Sequence, residues 1–192
     1  MSAFVPGSPV CAVALSLMLN LSMFVSDVSA RETDNDAFVN AMIQYAIALE
    51  RRALIEGRPL TSTELDVARD AGVQHPERVR ILVLPRIPAP ESPFLRYKLN
   101  EMGHLQLIDV ARGTAKGYGI ILTKSGIRHV SVIAHELLHV RQYERFGGIA
   151  ALMRHHVPDL LANGYHHSEL ESEAYRRAAE ITAGRRKKNN RR

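Results

Sequence analysis

Residues 129–146 read HVSVIAHELLHVRQYERF, and within them His135-Glu136-Leu137-Leu138-His139 spells HExxH. On a helix, two histidines four residues apart lie about 40° from one another and can grip one ion, while Glu136 projects beside them. Val130, Ile133, Leu137 and Val140 fall on the opposite face, so the helix can lay its back on a core and turn the pair toward a cavity. Neutral imidazoles at this spacing suit zinc, which in a catalytic site takes three protein ligands and leaves a fourth position for water. A third ligand must come from elsewhere in the chain.

The longer HExxHxxGxxH pattern is excluded, because its glycine would fall at Gln142 and its third histidine at Arg145. Three carboxylates, Glu169, Glu171 and Glu173, open the last helical stretch, SELESEAYRRAAE, whose apolar stripe is Leu170, Ala174, Ala178 and Ile181. From the centre of that stripe Glu171 lies about 60° away, Glu173 about 100° and Glu169 about 140°. Glu171 is nearest the buried side and sits in the first turn, where the helix dipole favours an anion. Glu173 and His166 or His167 stay open as alternatives, since carboxylate and imidazole both serve zinc. Tyr165, His166 and His167, just before this helix, are candidates to steady a developing oxyanion. His155 and His156 are adjacent on the preceding helix, face different directions, and are left out of the site.

Outward from this core, residues 34–56 carry Phe38, Met42, Tyr45 and Leu49 at helical spacing and end at Gly57-Arg58-Pro59. Thr61-Ser62-Thr63-Glu64 opens a shorter helix ending near Gly72, and Val79–Leu84 reads as a strand. Pro88, Pro90 and Pro93 predict a loop, and residues 104–110 (HLQLIDV) and 118–123 (YGIILT) predict two more strands. From about Ile127 the pattern is helical, over 128–146, 149–162 and 168–183. The order points to an α+β domain with a small central sheet. The strand at 118–123 is either an edge that lines a cleft or an interior strand.

The 192 residues carry a formal charge of +5, and six basic groups lie in the last eight residues. Without the first 30 residues, whose only charge is Asp27, and without that tail, the body is neutral, which argues against a nucleic-acid-binding face. Residues 10–25 (VCAVALSLMLNLSMFV) are short for a membrane span. Followed by Val28 and Ala30, they predict a signal peptide over 1–30 cleaved near Ala30 and export to the periplasm or medium; the alternative is a membrane anchor over residues 10–25. Residues 31–184 then form one domain and 185–192 a basic, disordered tail. Cys11 is the single cysteine, so no disulfide staples the fold.

Taken together, the HExxH and Glu171-Ser172-Glu173-Ala174 resemble the gluzincins, compact zinc peptidases with HExxH on one helix and a glutamate ligand in an E-x-x-A stretch on a later one. The likeness to small bacterial zincin-like proteins covers roughly residues 60–180. It implies a zincin-like fold and one zinc ion held by His135, His139 and Glu171. Glu136 would move the proton of a water, and a peptide or protein would be the substrate. The acidic residue expected four after the ligand is Tyr175 here, so support for a histidine must come from another residue. The alternative function is a non-catalytic, zinc-stabilised helical binding module of the cell envelope.

Overall fold

The computed structural model describes residues 34–189. The signal-peptide or anchor reading of residues 1–30 and the last three residues lie outside them. The chain partitions into two units between Phe38 and Val39, and apart from the first five residues of helix α1 the second holds every feature below.

A small mixed sheet divides two layers of helices. Helix α1 covers residues 34–56. Strand β1 (Arg58–Pro59) pairs antiparallel with β2 (Arg80–Leu84), β2 runs parallel to β4 (Gly119–Thr123), and β3 (Gly113–Lys116) pairs antiparallel with β4. The order is therefore β1-β2-β4-β3, and among the described residues no strand pairs with the outer edge of β3. Helices α2 (Ser62–Ala71), α5 (Val130–Phe146) and α7 (Glu169–Asn189) cover one face. Ile81, Ile120 and Leu122 point into that layer, with Leu137, Val140, Ala174 and Ala178 across from them. The alternate residues Leu82 and Ile121 meet Leu49 and Ala53 of α1 on the other face. Strand β4 is thus apolar on both sides, which is the mark of an interior strand. It is interior, and the edge beside α5 is β3.

Helix starts follow from local chemistry. Thr61 and Glu64 form a reciprocal capping box on α2, and Arg58 holds the same carboxylate in a forked pair at 2.7 and 2.8 Å. Gly72 and Gly147 end α2 and α5 in the left-handed conformation that a side chain disfavours.

Two expectations are overturned. The proline-rich stretch contains helix α3 (Pro93–Glu101), because Pro93 occupies the first turn, where no N–H is required, and Ser92 caps the Leu95 N–H. Residues 104–110 are helix α4 (His104–Val110) and not a strand. His104, Leu107, Ile108 and Ala111 recur at helical spacing and line one wall of a cavity, and that tertiary surface overrides the short alternation of HLQL. One boundary also moves. Helix α6 (Ile149–Asn163) closes as expected, but α7 runs past 183 through the basic residues to Asn189, with Arg185 paired to Asp70 of α2. Val130 is exposed at the start of α5, unlike the buried Ile133, Leu137 and Val140.

Candidate metal centre

Burial along α5 follows the pattern of its sequence: Ile133, Ala134, Leu137, Leu138 and Val140 lie in the core. With that face fixed, His135 and His139 project from the other side, and their Nε2 atoms stand 3.0 Å apart. Helix α7 is held against α5 by Leu170, Ala174 and Ala178, which places Glu171 over the pair. Its Oε2 is 3.5 Å from His135 Nε2 and its Oε1 3.4 Å from His139 Nε2. The three ligand atoms all lie within 4.8 Å of one another, and among the described residues they form a group able to hold a metal ion.

The donor chemistry fits such an ion. Glu171 is only 5% exposed and its Oε2 is a buried atom without a hydrogen-bond partner among the described residues. A carboxylate so placed is costly unless a cation or donor meets it. Burial opposes its charge, but the neighbouring His139 and His135 imidazoles hold the carboxyl far below the usual carboxylate range. Burial likewise disfavours a charged His139, yet the Glu171 and Glu136 carboxylates outweigh it and lift that imidazole to about 9.

The orientation of His139 is set by residues behind it. The Gln142 amide nitrogen donates to Leu170 O at 3.0 Å and to Glu173 Oε2 at 2.9 Å. Its oxygen therefore accepts from His139 Nδ1–H at 2.8 Å, leaving the Nε2 lone pair for an ion. Glu173, the alternative ligand, is thereby engaged behind the site: it also meets Arg141 and Arg145, and with Gln142 these hold its carboxyl below the usual range against partial burial. Glu169 is exposed, and its backbone N–H donates to Asp159. His135 has no comparable support, since its buried Nδ1 lacks a partner. The exposed Tyr175 packs its ring 4.5 Å from the His135 ring instead.

Glu136 sits 4% exposed beside the triad, where burial pushes its carboxyl upward and the two histidines pull it back. It makes no hydrogen bond to any described residue. The room for it comes from Gly113 on the edge strand: a Cβ there would stand 2.7 Å from Glu136 Oε1 and 2.8 Å from Leu122 Cδ2.

A cavity of about 170 Å³ opens in front of these groups. Tyr165 lines it, its hydroxyl pKa raised first by burial and then by the Glu171 carboxylate. His167 is exposed in the same turn, Tyr165–His167, and the side chain of His166 lies outside the described residues. Four contributors escaped the sequence reading: Gln142, Gly113, Lys116 and His156. Gln142 follows His139 at i+3, a spacing that allows contact. His156 was legible too, because it shares the buried stripe of Leu152, Met153, Val157 and Leu160, while His155 turns outward onto Phe146. Gly113 and Lys116 carry no local signal. Comparison with protein-family models, curated proteins and solved structures finds no match to this chain.

Proposed function

We propose that the chain is a zincin-like, zinc-dependent peptidase that hydrolyses peptide bonds. The observation that carries this reading is the convergence of His135, His139 and Glu171 with a buried, unbonded carboxylate, Glu136, next to them. Two imidazoles and one carboxylate are a ligand set that suits zinc with one position left open. When bound, zinc supplies Lewis acidity, polarising a carbonyl and making a water acidic near neutral pH.

The remaining work falls to the protein. Glu136 takes a proton from water and delivers it to the leaving amine, a role its raised affinity for protons suits. The free edge of β3 offers backbone groups to an extended peptide, which would lie with its reacting carbonyl next to Glu136 at the Gly113 end. Tyr165, whose side chain hydrogen-bonds Glu171, lines the same cavity and would turn its hydroxyl to the oxygen that gains charge. Export of the mature chain remains part of the proposal on the residues 1–30 pattern alone.

The test is Glu136→Gln in the full-length protein, with metal content and peptide hydrolysis measured side by side. One zinc per chain with turnover reduced by about 10³-fold is expected. Equal turnover in the variant would sink the reading, and zinc retained by a wild type that hydrolyses no peptide would favour a zinc-stabilised binding module.

A further inference from the structure

The cavity before the triad has a cation in its wall. Lys116, the last residue of β3, lines it together with His135, Glu136, His139 and Glu171. Burial lowers the pKa of its ammonium while the Glu136 and Glu171 carboxylates act through space to keep the charge, and it forms no ion pair or hydrogen bond with any described residue. A lysine in so much protein, next to ionisable groups it does not bond, has donors to spare for a guest. On α6, His156 also lines the cavity; it is 8% exposed and its buried Nδ1 has no hydrogen-bond partner among the described residues. Burial lowers this imidazole to about 4, so it is neutral and able, as the Nδ1–H tautomer, to donate one hydrogen bond.

The other walls are apolar: Ile87, Leu99, Leu107, Ile108, Met153 and Leu160 surround the space. At about 170 Å³ the cavity is smaller than the pockets that take drug-sized ligands and is on the scale of a single amino-acid residue. An apolar wall with one unpaired cation and one neutral donor fits a residue with an apolar side chain and a negative charge on its backbone. Only a chain's last residue has that combination.

Resting on the peptidase reading, we propose that this cavity receives the C-terminal residue of a peptide, its side chain among the apolar walls and its free α-carboxylate on Lys116 and His156. The substrate class is then peptides with an apolar C-terminal residue, cut near that end. Lys116 is a binding and specificity residue and takes no part in the proton transfers.

The experiment measures equilibrium binding of N-acetyl-L-leucine and N-acetyl-L-leucinamide to the full-length protein, metal-free and zinc-loaded. The acid is expected to bind about tenfold more tightly than the amide in both forms, the worth of one charge-assisted contact. Lys116→Met brings the two ligands to equal affinity, Lys116→Arg restores the preference, and zinc content is unchanged. Equal binding of acid and amide by the wild type overturns the proposal, as does the absence of saturable acid binding. So does a preference that survives in Lys116→Met, which would put the carboxylate on the metal. Because no turnover is read, the two ideas fail separately. An acid preference without Glu136-dependent hydrolysis removes the peptidase and keeps the carboxylate site, whereas Glu136-dependent cleavage without that preference removes only the site.

Discussion

Helix α5 presents two faces that are buried alike and for opposite reasons. On one side Leu137 and Val140 are fully enclosed, and the contacts they make are themselves the source of stability. On the other, Glu136 is 4% exposed and faces Glu171 of α7, 5% exposed, whose Oε2 has no hydrogen-bond partner among the described residues, an arrangement that costs folding free energy. The apolar side holds the helix in the only orientation that keeps the ionisable side assembled. Stability and chemistry are thus assigned to opposite sides of five consecutive residues.

The sharpest way to break this division is from the back. Leu137→Ala removes a side chain with no exposed surface, and a loss of about 2–5 kcal/mol is expected in denaturant unfolding. At temperatures where the variant is still folded, its zinc content should match wild type. A variant that keeps its stability but loses zinc would show that the faces are not separable.

Gly113→Ala tests the chemical side with the ligands untouched. Its Cβ would displace the Glu136 carboxylate, and misplacement by about 1 Å is worth roughly 10²-fold in rate. Peptide hydrolysis should fall on that scale with zinc retained; unchanged turnover would free Glu136 from any dependence on the edge strand.

A finer contrast lies between the two histidines, one with an oriented partner and one without. Gln142→Ala takes the acceptor from His139 Nδ1, and zinc affinity should weaken by about 10- to 100-fold in a competition titration. If affinity is unaffected, the Gln142–Glu173 chain serves only the packing of α5 on α7.

A last contrast concerns pH. His139 must lose a proton to bind an ion, and in the metal-free protein its pKa stands at about 9 against 6.5 for the ordinary imidazole. Zinc affinity should therefore rise about tenfold per pH unit between about pH 7 and 9, then flatten. The sign for folding is opposite: a raised pKa contributes stability that is fully present below 6.5 and lost as pH climbs through 9. Metal-free protein should accordingly unfold at lower denaturant concentration at the alkaline end.

Much of this site is legible where the chain is periodic. HExxH on an amphipathic helix and a glutamate near the apolar stripe of a second one indicate which side chains turn inward, and the angle puts Glu171 nearer the buried side than Glu173 while leaving both open as ligands. The regions that escaped are those in which tertiary contact, not local pattern, chooses the conformation. HLQLIDV alternates briefly like a strand, yet Leu107 and Ile108 are adjacent and both turn toward the cavity, which only a helix permits. Pro93 reads as a breaker until Ser92 is seen to cap behind it. Lys116 is the hardest case, because its importance comes from carboxylates 20 and 55 residues away in sequence.

The distance along the chain between His139 and Glu171 has a kinetic meaning. The histidine pair exists as soon as α5 is helical, whereas the glutamate arrives only after α6 has formed and the chain has doubled back, closing a loop of 32 residues. A partly folded chain with every helix in place but α7 undocked would give a native helical spectrum and hold only two of the three ligands. Completion of the triad therefore requires the docking of α7, and capture of the ion would report that docking, not the presence of the helices.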